Sequence, residues 1–238
     1  MKKTIIDNEL GTIILTKNSR SKKIIIRIKN DCVAVTLPER STYEEALKFV
    51  ETKRDWILTH KNKLKTSRKN ISNEEPFQTL TFSVKLQSAD RKNYFISLKN
   101  NLLTIEYPNT INPETENAQK VFRKAIENGL RHEAKRVLPD MLSALAKQYG
   151  FSFTEVKINS SKSRWGSCSS KGSINLSFYM MLLPEHLVKY VLLHELCHTK
   201  EMNHGVKFWR LLDSVSDNKA KQLANETKKH STFLSFRA

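Results

Sequence analysis

Four side chains in this sequence have the types and spacing to do chemistry together: His194, Glu195, His198 and His204. Within His194-Glu195-Leu196-Cys197-His198 the two histidines stand at i and i+4, which share one face of a helix. Two imidazoles can therefore reach a single metal ion. Glu195 is turned about a third of a turn away, near enough to reach a water on that metal but poorly placed to ligate it. This is the H-E-x-x-H arrangement of zinc hydrolases, with two ligands and a general base on one rigid element.

A catalytic zinc site has three protein ligands and one open position. His204 is best placed for the third, because it lies just past the helix where the chain can fold back; Glu201, Asp213, Glu226 and His230 are the competitors. Zinc would bring its water towards neutrality and Glu195 would take the proton. A further group must steady the developing oxyanion, and Arg164, Tyr179, Tyr190 and His186 are available. Cys197 reads as a small buried thiol. Cys168 either packs or faces the site.

The elements that position these groups follow from pattern. Pro184-Glu185 opens the metal helix, with Pro early and an acid near the N-terminus, and Val188, Leu192 and Leu196 form its apolar stripe. Ahead of it, Phe153 to Asn159 and Ser173 to Tyr179 read as strands around a turn at Lys171-Gly172, a hairpin whose edge an extended substrate could join. Beyond His204, Gly205 permits a chain reversal into a helix on Phe208, Trp209, Leu211, Leu212 and Val215, and a polar helix follows from about Asn218 to Lys229. Upstream, Asn112-Pro113 starts a long helix that ends at Gly150, with a kink or break expected near Leu138 because of Pro139.

The first part of the chain reads as a mostly antiparallel β module. Its strands are Thr12 to Thr16, Lys22 to Lys29 and Cys32 to Leu37, with a turn at Asn30-Asp31. A helix capped by Ser41 or Thr42 carries Ala46, Leu47, Phe49, Val50, Trp56, Ile57 and Leu64, with Trp56 as a core anchor. After a linker at about 66–76, three more strands run at Thr79 to Leu86, Tyr94 to Leu98 and Leu102 to Tyr107, the last two joined at Asn100-Asn101. The expected organisation is α+β: an N-terminal β-rich module over 1–110 and a catalytic domain over 111–238.

The formal net charge is +17 and the pI about 9.8, with a dense basic run from Lys61 to Lys69. Such a surface is either a solvated face or an attraction to something anionic, nucleotides and nucleic acid included. No apolar run is long enough to span a bilayer, and Asp7, Asn8 and Glu9 interrupt any signal-peptide core. The expectation is a cytoplasmic chain without membrane association. Three widely spaced cysteines, Cys32, Cys168 and Cys197, do not suggest a disulfide framework.

Several stretches together carry a resemblance. Arg164-Trp165-Gly166-Ser167-Cys168-Ser169, Gly172 with Ile174-Asn175-Leu176, Tyr190-Val191 ahead of His194-Glu195-Leu196-Cys197-His198, and Asn203-His204 with Phe208-Trp209 resemble the YgjP-like metallopeptidase family. The same pattern is more loosely similar to the WLM and SprT-like zincins, some of which act on DNA-associated proteins. The resemblance implies a zincin-like α+β domain, zinc as the metal, His194, His198 and His204 as ligands and Glu195 as base. Metzincins carry Gly three residues after the second histidine; Glu201 stands there instead, so the helix should continue farther and turn near Asn203-His204-Gly205. A minigluzincin-type site would need Asp213 or Glu226 as a distant acidic ligand. Three functions remain in view: a zinc peptidase acting on peptides or proteins, a nucleoside triphosphate pyrophosphatase or phosphohydrolase using the same site, and a nucleic-acid-binding protein with a structural zinc. Glu195 argues against the last, since a structural site has no use for a base.

Overall fold

In the computed structural model of the chain, residues 2–28, 32–66 and 70–230 are described. The expected turn at Asn30-Asp31 and the side chain of Leu64 lie outside them. The chain divides into two compact units, one ending at residue 69 and the other beginning at residue 70.

The first unit is a four-stranded sheet with two helices. Strands β1 (Lys2–Asp7), β2 (Gly11–Lys17), β3 (Ile25–Ile28) and β4 (Val33–Leu37) lie in the order β1-β2-β4-β3, with β2 and β4 parallel and the other pairs antiparallel. Ile13, Leu15, Val33 and Val35 alternate onto the covered face, as period-two patterning requires, and bury against Ala46, Val50 and Ile57. Thr42 caps α1 (Tyr43–Thr52) in a capping box with Glu45, so each side chain satisfies the other's backbone N–H. The expected single helix is broken at Lys53, and α2 (Arg54–Thr66) follows. Arg54 starts it by pairing with Asp7, Glu9 and Glu51. Trp56 is not a core anchor: it is 45% exposed and stacks on His60, while Ile57 is fully buried in its place.

The second unit begins with a sheet of the same design. Strands β5 (Phe77–Gln78), β6 (Ser83–Ala89), β7 (Phe95–Lys99) and β8 (Leu102–Pro108) lie in the order β5-β6-β8-β7, again with one parallel pair flanked by antiparallel ones. The registers also correspond. Ile25 faces Thr36 as Phe95 faces Glu106, and Leu15 faces Val35 as Leu86 faces Ile105. Asn100 and Asn101 turn the β7–β8 hairpin in the left-handed region, at φ 48° and 59°, the conformation that matches strand twist in a tight hairpin. The 110/111 boundary read from sequence falls inside this unit, because Phe82, Leu86, Leu103 and Ile105 share one core with Phe122, Ile126 and Leu130 of the next helix.

That helix, α3 (Glu116–Tyr149), is capped by Thr115, and Gly150 closes it at φ 67°. It runs unbroken through Pro139. A proline inside a helix costs about 3 kcal/mol, but Ala134, Leu138 and Leu142 are fully buried around it, and packing of an apolar face outweighs local propensity. Next comes a three-stranded sheet of β9 (Glu155–Asn159), β10 (Gly166–Cys168) and β11 (Ser173–Ser177), ordered β10-β11-β9, with β10 antiparallel and β9 parallel to β11. A buried 3₁₀ turn over Phe178–Leu182 leads to α4 (Glu185–Cys197), α5 (Val206–Val215) and α6 (Ala220–Thr227). No helix among the described residues is long and apolar enough to cross a membrane.

Candidate metal centre

α4 is apolar nearly all round: Leu187, Val188, Leu192 and Leu196 are fully buried. Its rigidity is transmitted to the two histidines at its C-terminal end. The helix does not continue past His198, as the sequence suggested it should. It stops at Cys197, and Thr199 closes the turn by donating its hydroxyl and its N–H to the Leu196 carbonyl. No glycine is needed there, because the released carbonyls are met by Thr199, Lys200 and Glu201. Gly205 caps α5 in an extended conformation at φ −78°, and the reversal before it brings His204 back to α4.

The three histidine rings converge. The Nε2 of His194 lies 3.2 Å from that of His198 and 3.0 Å from that of His204. Three ring nitrogens facing one another cannot all be satisfied by hydrogen bonds among themselves, since each neutral imidazole offers a single N–H. A shared cation satisfies all three. The tautomer of His198 suits it, because Nδ1 lies 3.1 Å from the Glu201 carbonyl and donating there leaves Nε2 as a lone pair. Burial and the neighbouring histidines hold His194 neutral, pushing its pKa down to about 3, and burial lowers His198 as well. Among the described residues, these three form the group able to hold a metal ion.

Two of the competitors are engaged elsewhere. Asp213 accepts the Ala220 N–H at the α5–α6 turn, and Glu226 pairs with His186 at 2.8 Å. The pairing also takes His186 to α6. Cys197 is fully buried, and burial pushes its thiol up to about 12, which disfavours the thiolate that ligates metals.

Glu195 is 5% exposed, and among the described residues its Oε2 has no hydrogen-bond partner. Burial raises its pKa to about 8, opposed by the charge of Arg164. The carboxyl lies directly against β10. A Cβ at Gly166 would stand 2.6 Å from Glu195 Oε1, 2.7 Å from Cγ and 2.8 Å from Cδ. Two residues on, Cys168 is on the same side of the strand, and its thiol is pushed up by burial and then by the Glu195 charge.

β10 is an edge strand. Ser177 N–H donates to the Trp165 carbonyl and Ser169 N–H to that of Ser173, so the alternating ladder turns the N–H and C=O of Gly166 and Cys168 outward. A cavity of about 380 Å³ opens between this strand and the histidines, with Arg164, Trp165, Tyr190, Trp209 and Lys228 among its walls. Two oxyanion candidates from the sequence, Arg164 and Tyr190, therefore share the cavity with Glu195. Tyr179 does not line it: its hydroxyl donates to Glu127 of α3 at 2.6 Å.

Sequence reasoning missed Phe208. It is fully buried and packs on all three histidines, with ring centroids 4.9, 4.6 and 4.7 Å from His194, His198 and His204. Helical spacing marked it as an apolar residue, and nothing local showed what it would touch.

Fold and site together define an α+β protein with three histidines able to hold a cation beside a buried carboxylate. The YgjP-like metallopeptidase domain matches residues 22–230, and the chain belongs to that family. Among solved structures, it is similar to the metallopeptidase zymogen abylysin of Pyrococcus abyssi. The two are 28% identical over 39% of this chain and 93% of that one, with a TM-score of 0.36. It is similar also to the zymogen jannalysin of Methanocaldococcus jannaschii, at 24% identity over 39% and 94% of the two chains and a TM-score of 0.35. No curated protein matches it. None of the comparisons supports association with nucleotides or nucleic acid.

Proposed function

We propose that this protein is a zinc-dependent peptidase in which His194, His198 and His204 hold the metal and Glu195 is the general base. The observation that carries the reading is the meeting of three imidazole Nε2 atoms beside a buried carboxylate oxygen without a partner among the described residues. Three imidazoles with an open fourth position are the donor set of catalytic zinc. When bound, zinc supplies the Lewis acidity that brings water to a reactive state near neutral pH.

The chain's own residues do the rest. Glu195 Oε2 accepts the proton of the attacking water and can return it to the leaving amine. Burial favours this role, since a carboxylate with a raised pKa shares a proton readily near neutrality. Arg164 and Tyr190 offer N–H and O–H groups to the negative charge that develops on the carbonyl oxygen. The outward N–H and C=O of Gly166 and Cys168 can pair with an extended peptide laid along β10, which favours a peptide or protein substrate.

The test is hydrolysis of casein-like proteins and a peptide library by the zinc-loaded protein and by Glu195→Gln. The expected result is cleavage by the wild type and a loss of at least about a hundredfold in kcat for the variant, with zinc retained. Full activity in Glu195→Gln would remove Glu195 as the base, and absence of any peptide cleavage by the zinc-loaded wild type would sink the peptidase reading.

A further inference from the structure

We propose that Gly166 is a positioning residue for Glu195, and that the missing side chain at 166 is the slot in which the carboxylate sits. The inference rests on the reading of Glu195 as the general base. It begins from the close approach already described: a methyl group at 166 would come within 2.6–2.8 Å of Oε1, Cγ and Cδ of Glu195, closer than real side chains tolerate.

Backbone freedom does not explain this glycine. Gly166 is not among the residues with positive φ, so an L side chain could adopt its conformation without strain. It is paired in register with Leu176 as an ordinary strand position. The three atoms that a side chain at 166 would meet first all belong to the Glu195 side chain. The weaker partner in that clash is the Glu195 side chain, which can change rotamer, whereas β10 is held to β11 and Leu192 and Leu196 of α4, to either side of it, are buried. A side chain at 166 therefore moves the base and leaves the fold and the three histidines where they are.

The surroundings make the displacement costly for function. Arg164 lies two residues before Gly166 and lines the same cavity as Glu195. The strand presents its outward N–H and C=O groups at the same residue. Gly166 thus ties the position of the base to the strand edge along which a peptide would lie. Moving a reacting group by about 1 Å costs on the order of a hundredfold in rate.

The test is a cycle on the full-length, zinc-loaded chain with Gly166→Ala, Glu195→Asp and the double variant. Gly166→Ala is expected to keep its zinc and to lose at least about a hundredfold in kcat with KM nearly unchanged. Glu195→Asp is shorter by one methylene; it should cost activity in both backgrounds, but clearly less in the Gly166→Ala background, where the base is already displaced. A second readout needs no activity. Gly166→Ala should lower the thermal midpoint by a few degrees in the wild type, and should leave it unchanged or raised in Glu195→Ala, where the methyl enters vacated space. If Gly166→Ala alone fails to fold, recovery of folding in Gly166→Ala/Glu195→Ala supports the proposal, and failure of both overturns it. Near-wild-type activity of Gly166→Ala, loss of its zinc, or strictly additive effects at the two positions would each overturn it. These outcomes separate from the base reading: an active Glu195→Gln removes the base yet leaves the thermal coupling standing, whereas an active Gly166→Ala with an inactive Glu195→Gln removes only the positioning role.

Discussion

Replacing Phe208 by Leu tests whether the three histidines are held in place before metal arrives. Phe208 is fully buried with its ring against all three imidazoles, stacked on His198 at an interplanar angle of 27° and edge-on to the other two at 71°. Each aromatic contact is worth about 0.5–1.5 kcal/mol beyond burial. Leucine keeps most of the apolar area, so the loss should come from the ring contacts and from a residual void, together about 2 kcal/mol. For a unit of this size that lowers the thermal midpoint of the metal-free protein by about 4–8 °C. Looser imidazoles must be ordered when the ion binds, which should weaken zinc by about tenfold or more, the effect expected of groups that orient ligands. Chelator competition measures the second quantity and differential scanning the first. Unchanged zinc affinity together with the expected loss of stability would show that Phe208 fills space without orienting the rings.

The two tyrosines should separate in the same assays. Tyr179→Phe removes the hydroxyl on Glu127 and should cost about 1–2 kcal/mol of stability with kcat unchanged, whereas Tyr190→Phe, altered inside the cavity, should lower kcat several-fold with zinc unchanged. Equal effects on kcat would refute that division. The first unit carries a pH dependence through Asp7, whose carboxyl is held well below its usual range by the Arg54 guanidinium and then by the Leu10 N–H. Since the folded pKa is depressed, the stabilisation is complete above the unfolded value near 3.8 and is lost as pH falls through the folded one. Acid unfolding of Asp7→Asn should therefore lack that loss at the acid end; an acid limb identical to the wild type would contradict it.

Much of the site was legible because it is local. The i and i+4 spacing of His194 and His198 follows from helix geometry alone, and His204 lies close enough in sequence for a short reversal to return it. The helix end was misjudged, since Glu201 in place of glycine suggested continuation, while the Thr199 hydroxyl supplied a stop of another kind. Trp56 and the break considered at Pro139 were misread for one reason: the size of a residue and its propensity do not reveal which face the remaining elements will cover. The likeness of the two four-stranded sheets also passed unnoticed. Lys29-Asn30-Asp31 stands to Pro38 as Lys99-Asn100-Asn101 stands to Pro108, and a search for repeats at that spacing would have raised it.

By itself the sequence determined the spacing of the three histidines and the glutamate beside them, the α+β alternation and most strand and helix positions, because each depends on residues within a few turns of one another. Tertiary structure alone decided that Tyr190 and Arg164, and not Tyr179, share the cavity. It also set Phe208 beneath three imidazoles and laid the Glu195 carboxyl against the bare backbone of Gly166. Those contacts join residues on separate elements, and their distances arise only when helix and strand pack face to face.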